Sequence, residues 1–181
     1  NNDSGYETAI EFKKNGVDPI ILDTRKEPKS EIIDEAKKLN IQIKFSYVVV
    51  AAKGYKKVKS AEIAKISDDK NELGTLENIN CDCICVSGFW TPTIHLASQS
   101  GNKTIFNKDI DAFVPGLSKQ NETTLGAANG TFTLEETLKK SFESGYELSK
   151  KITNNDNKTS SPTVMEKKST THDKFWCVPL P

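Results

Sequence analysis

The chain has 181 residues, with 25 lysines and arginines against 25 acids and a mean hydropathy of -0.54. Balanced charge excludes the long-range positive field of a nucleic-acid or acidic-membrane binder. No apolar run approaches the roughly 20 residues needed to cross a bilayer, so a cytoplasmic α/β protein with neither membrane nor nucleic acid as partner is expected.

The chain opens on a turn, Asn1-Asn2-Asp3-Ser4-Gly5. An amphipathic helix follows through Tyr6, Ile10 and Phe12 and stops at Asn15-Gly16, a pair suited to a left-handed C-terminus. A short apolar strand, Pro19-Ile20-Ile21-Leu22, then ends on Asp23. Turn, helix, strand and acid in this order make the second half of a dinucleotide-binding βαβ unit. In such a unit the helix N-terminal amides hold a pyrophosphate, and an acid about 20 residues on takes the ribose hydroxyls. The strand that should precede the turn is missing. The expected fold is therefore Rossmann-like without its first strand, in a piece of a larger protein that is marginally folded alone.

Residues 24–29 form a polar loop, and Ser30 is placed to cap a second helix ending near Leu39-Asn40. Ile41, Ile43 and Phe45 alternate as a parallel strand. Residues 47–52 and 58–66 make a β-hairpin, and residues 67–78 a polar surface connection. Residues 81–86 read as an apolar strand ending in Ser87-Gly88. On that strand Cys81, Cys83 and Cys85 share a face at about 7 Å spacing. Small buried hydrophobes are expected there in place of a metal or redox cluster, because four zinc ligands do not assemble nearby. A helix covers residues 93–98, and short strands cover 104–106 and 112–114. The turn Gly126-Ala127-Ala128-Asn129-Gly130 precedes a long helix, whose Leu134, Leu138, Phe142, Tyr146 and Leu148 form a stripe to be buried. Residues 153–174 have a linker composition, and residues 175–181 turn apolar again.

Each candidate site residue has a functional and a bland meaning. Asn1 and Asn2 stand where phosphate-binding glycines are expected, and asparagine tolerates positive φ. The alternative is a plain strand-to-helix turn. Asp23 either accepts ribose hydroxyls or is a solvated strand end. Arg25, the sole arginine, stacks on adenine, reaches a 2′-phosphate, or pairs with Asp23 or Glu27. Ser87-Gly88 and the Gly126–Gly130 turn are either an anion site with free amides or small-residue packing and a cap. His95 is read as structural or interfacial, and His172 as an exposed linker residue. N-x-T triplets at Asn102, Asn121, Asn129 and Asn157 carry little weight for secretion in so Asn- and Thr-rich a chain. No nucleophile–base pair, carboxylate dyad or ligand cluster emerges, so any chemistry would belong to a cofactor.

Three stretches resemble the alpha subunit of heterotetrameric sarcosine oxidase. They are residues 87–101 (SGFWTPTIHLASQSG), Ala112-Phe113-Val114-Pro115-Gly116, and residues 126–134 (GAANGTFTL). Asn1-Asn2-Asp3-Ser4-Gly5-Tyr6 resembles that family's opening of an inserted nucleotide-binding domain, and residues 175–181 the segment before its folate-binding half. The resemblance implies a region similar to pyridine-nucleotide–disulfide oxidoreductases. Residues 1–80 would be the inserted NAD-type domain and 81–152 the returning part of the larger FAD/NAD(P)-binding domain. Residues 153–174 would be the linker, and 175–181 the start of an aminomethyltransferase-like region. It implies NAD at Asn1, Asn2, Asp3, Ser4, Asp23 and Arg25, or at Ser87, Gly88, Gly126, Ala127, Ala128, Asn129, Gly130 and Thr131. The whole complex would carry FAD and FMN, use tetrahydrofolate downstream, and contain beta, gamma and delta subunits. It would oxidise sarcosine to glycine with hydrogen peroxide and formaldehyde or methylene-tetrahydrofolate, with no catalytic residue and no metal in this stretch. Two alternatives stay open: another FAD/NAD(P)-dependent amine, opine or hydroxyproline dehydrogenase subunit, and a non-catalytic α/β interaction module.

Overall fold

A computed structural model describes residues 2–88, 90–153, 160–164, 175 and 177–179. The chain is mixed α/β. It divides into two units, Asn1–Phe89 with Ser169–Pro181, and Trp90–Lys168. Asn1, Asn157, His172 and most of the expected linker and terminal segment lie outside the described residues.

The first unit begins with α1 (Ser4–Lys14), which buries Tyr6, Ala9 and Ile10, three residues that a 3.6-residue period places on one face. The helix closes through Gly16 at φ +82, with the Val17 amide donating to the Phe12 carbonyl. Strand β1 (Ile20–Asp23) pairs in parallel with β2 (Gln42–Phe45), and the connection carries α2 (Glu31–Lys38). Tyr6, Ala9, Ile10, Ile21, Ile33, Ala36 and Ile41 form one core. The expected strand–helix–strand order is thus present as a parallel pair. Ser30 stands at the α2 N-cap in extended conformation, yet its buried hydroxyl makes no capping hydrogen bond, contrary to expectation.

Strands β3 (Tyr47–Gly54), β4 (Val58–Ile66) and β5 (Leu73–Asn80) form an antiparallel sheet with β4 in the middle. The hairpin was expected; β5 was not. Residues 67–78, expected as a surface connection, supply this third strand because an edge strand needs one ladder partner and tolerates polar side chains. At the β3–β4 turn Gly54 has φ +151, and a Cβ there would lie 2.0 Å from the Lys57 carbonyl oxygen. Gly54→Ala is expected to lower unfolding stability by more than about 1 kcal/mol in a denaturant titration.

Residues 81–86 are a correction. They form no strand, Cys81 is half-buried, and Cys83 and Cys85 are exposed with their sulfurs 3.9 Å apart. The neighbouring Cys83 thiol raises the Cys85 pKa. An apolar run by itself fixes neither burial nor a ladder partner, and no strand pairs with it among the described residues.

The second unit contains α3 (His95–Gln99), an antiparallel hairpin of β6 (Thr104–Asn107) and β7 (Ala112–Pro115), a 3-10 turn (Gly126–Asn129) and α4 (Leu134–Thr153). Ala112 and Val114 are buried, whereas Phe106 and Phe113 meet edge to face at 5.3 Å on a half-exposed surface. The α4 stripe is also a correction: no residue of α4 is fully buried, and Leu148 and Ile152 are 58% and 74% exposed. Within the unit this helix packs on the 3-10 turn before it, too short an element to cover 20 residues.

Candidate functional site

Two hydrogen-bonded clusters meet at the start of α1. In the first, Asn2 lies just before the helix and is 8% exposed. Its carboxamide oxygen accepts from the Ser4 amide at 3.0 Å, the Ser4 hydroxyl at 2.7 Å and the Ser87 hydroxyl at 3.0 Å. Its Nδ2 donates to the Gly88 carbonyl at 2.6 Å, and the Ser4 and Ser87 hydroxyls are 2.5 Å apart. A glycine at position 2 has no side chain to make these bonds. The departure from a glycine turn therefore ties the helix start to a segment 85 residues away.

The second cluster is ionic. Asp3 occupies the α1 N-cap but turns its carboxylate away from the helix amides, accepting from Arg25 Nη1 at 2.9 Å. Asp23, at the tip of β1, accepts from the Arg25 amide at 2.9 Å and from Arg25 Nε and Nη2 at 3.0 and 2.9 Å. The Tyr6 hydroxyl donates to Asp23 Oδ2 at 2.6 Å, and the Arg25 guanidinium lies 5.9 Å from the Tyr6 ring centre. Asp3, Asp23 and Arg25 are 6%, 2% and 7% exposed. Burial by itself would raise the Asp23 pKa, but the Arg25 and Tyr6 hydrogen bonds outweigh it and hold the carboxyl below its ordinary value. Burial and the Asp23 contact push the Tyr6 phenol up. Burial opposes the Arg25 charge, and the two carboxylates overcome that opposition and raise its pKa. The Arg25 carbonyl accepts from Ser46, whose own carbonyl accepts from Ile66, so the cluster is bonded onward to the antiparallel sheet.

The structure thus brings Asn2, Asp3, Ser4, Asp23, Arg25, Ser87 and Gly88 into one unit around the α1 start. Tyr6, missed as a polar participant, was legible only as one of the helix's apolar positions. The arginine's contact with Asp3 had no local signal either. In the second unit, the Gly130 and Thr131 amides donate to the Ala127 and Gly126 carbonyls, and Thr131 is buried with its hydroxyl accepting from Lys140 at 3.0 Å. Gly126 and Gly130 both have positive φ, and Ala127 and Asn129 are exposed, with Ala128 half-buried. The long helix starts after this turn, capped by Thr133, whose hydroxyl accepts from the Glu136 amide at 3.4 Å. His95 is exposed at the first position of α3. Among the described residues no group of three or more His, Cys, Asp or Glu could hold a metal ion. No helix among them is long and apolar enough to cross a membrane.

A helix start beside a parallel strand–helix–strand pair, with a strand-end carboxylate, defines the class: an α/β unit with a polar site at the C-terminal end of its strand. The particular likeness is to sarcosine oxidase subunit alpha. The protein of that name from Corynebacterium sp. (strain P-1) is 28% identical over 133 residues, 72% of this chain and 14% of the relative. That from Rhizobium meliloti (strain 1021) is 31% identical over 138 residues, 72% of this chain and 12% of the relative. That from Corynebacterium sp. (strain U-96) is 34% identical over 71 residues, 39% of this chain and 7% of the relative. The resemblance seen in the residues is therefore borne out, and this chain spans 12–14% of the length of the first two relatives. No protein-family profile matches the chain.

Proposed function

We propose that this chain is part of a sarcosine-oxidase-type alpha subunit, and that its first unit binds a dinucleotide of the NAD type. One observation carries the reading. The Asn2 knot joins two sequence motifs, residues 2–4 and 87–88, at the start of an 11-residue helix beside the Asp23 strand end. A pyrophosphate at this helix start would take over the Ser4 amide and the Ser4 and Ser87 hydroxyls that donate to the Asn2 carboxamide oxygen in the free protein. Asp23 is already engaged by Tyr6 and Arg25, so in this reading it sets the charge at the ribose end. Residues 1–80 then act as the inserted Rossmann-like domain and 81–152 as part of a larger flavin- or nucleotide-binding domain. Gly126–Thr131 is the second candidate contact to a cofactor.

When bound, NAD would supply a hydride-accepting ring, and this chain's residues would hold and orient it. Sarcosine oxidation to glycine, with peroxide and a one-carbon product, belongs in this proposal to flavin elsewhere in a multi-subunit complex, and folate chemistry to a downstream domain. Calorimetric titration of the full-length protein with NAD tests the reading. Heat that saturates at micromolar to millimolar ligand is expected, and its absence at millimolar NAD would favour a non-catalytic interaction module.

A further inference from the structure

We propose that Cys83 and Cys85 are a redox modification site, two thiols that a peroxide converts reversibly into one disulfide. Their sulfurs are 3.9 Å apart, and both side chains are exposed. Residues two apart in a chain have Cα atoms no further than about 6.8 Å from each other. That is within the reach of a disulfide, which fails beyond about 7 Å. Closing the sulfurs to a bond of about 2 Å therefore asks mainly for side-chain rotation. The segment is anchored on both sides of the pair. Before it, the Cys81 amide donates to the Lys59 carbonyl; after it, the Ser87 hydroxyl and the Gly88 carbonyl hold the Asn2 carboxamide. Between the anchors no strand pairs with residues 81–86 among the described residues, so no ladder opposes a small contraction there. Cys81 is half-buried at the end of the sheet, which leaves Cys83 and Cys85 as the two exposed thiols of this run.

The oxidation balances with hydrogen peroxide as the only co-reactant. One sulfur attacks the peroxide, the O–O bond breaks, and a sulfenic acid forms as water leaves. The second sulfur attacks the sulfenic sulfur, the S–O bond breaks, and a second water leaves. Two thiols give up two electrons and two protons, and one peroxide is reduced to two waters. A dithiol reductant reverses the step by exchange and becomes a disulfide itself. The Cys83 contact raises the Cys85 pKa, so closure is expected to be slower than at a low-pKa sensor thiol. Only the source of the oxidant rests on the function proposed above, in which amine oxidation releases peroxide.

Reduced full-length protein, treated with hydrogen peroxide, blocked with N-ethylmaleimide and mapped by peptide mass spectrometry, decides. The peptide that contains residues 81–88 is expected to lose two hydrogens through a Cys83–Cys85 bond, with Cys81 alkylated. Dithiothreitol should restore both thiols. In Cys85→Ser the bond should be absent, and Cys83 should be recovered as a sulfenic acid trapped by dimedone. Should that variant fail to fold, the unmodified protein still decides. Sulfinic or sulfonic acid without a disulfide, or a bond to Cys81 or Cys177 in its place, overturns the proposal. Thiols at 83 and 85 that resist N-ethylmaleimide in the reduced native protein overturn it too. The peroxide here is added, so a failure of NAD to bind, or of sarcosine to yield peroxide, overturns the proposed function alone.

Discussion

Arg25→Ala is expected to cost about 3–5 kcal/mol of unfolding stability, the effect of removing one partner from a buried ion pair. Asp3 and Asp23 would stay buried, at 6% and 2% exposure, without their shared cation. Domains of ordinary size have only about 5–15 kcal/mol to lose. The variant should therefore unfold at much lower denaturant, or expose its core before any denaturant is added. A pH series separates charge from packing. The folded-state pKa of Asp23 is depressed, so its contribution is present above the unfolded value of about 3.9 and lost as pH falls through the folded value. The native protein should thus lose stability in acid below about pH 4. In Arg25→Ala the same protonation relieves an uncompensated buried charge, so the gap between the two proteins should close over that range. Denaturant midpoints at pH 7 and pH 3.5 check this, and a gap of constant size would show that Arg25 acts by packing its methylenes.

Ile33→Ala should cost about 2–5 kcal/mol, the range for deleting a buried branched side chain and leaving its cavity. Ile33 is 1% exposed on α2 and sits in the core with Tyr6, Ile10, Ile21 and Ile41. Ile20→Ala is the comparison, since Ile20 neighbours Ile21 on β1 but is 41% exposed. It should cost well under half as much, because the transfer contribution scales with the apolar area removed from water. Urea melts of the two variants give the ratio. Equal losses would mean that β1 is covered on both faces in the working protein, and would place a further element against the side that Ile20 presents.

Periodicity made much of the first unit legible. Tyr6 and Ile10 marked the inner face of α1, although Phe12, read with them, is 38% exposed, and the alternation of Ile41, Ile43 and Phe45 marked β2. The left-handed stop of α1 was readable too, because Gly16 is a residue type that accepts positive φ cheaply. What failed was whatever depended on partners remote in sequence. β5 looked like a connection because Glu72, Glu77 and Asn78 are polar, although β4 was there to pair with it. Residues 81–86 looked like a strand because they are apolar, and α4 looked half-buried because its stripe is apolar. The adjacency of Asp23 and Arg25 pointed to the ionic cluster. No local pattern shows that Asp3 completes it, that Tyr6 donates to it, or that Asn2 reaches Ser87 and Gly88.

Distance along the chain also sets a clock. The bond from Asn2 to Gly88 spans 86 residues, and that between Ser4 and Ser87 spans 83. Closing a loop of that size costs about 4 kcal/mol in the length-dependent part alone. The β1–β2 pair and the antiparallel sheet need much shorter closures and are favoured to form first. On a ribosome adding 5–20 residues per second, about 4–17 s separate the synthesis of Ser4 from that of Gly88. For that interval the helix start waits for its other half. The corner that faces the proposed cofactor cannot close before residue 88 has arrived, so in this reading a dinucleotide meets it only after that point.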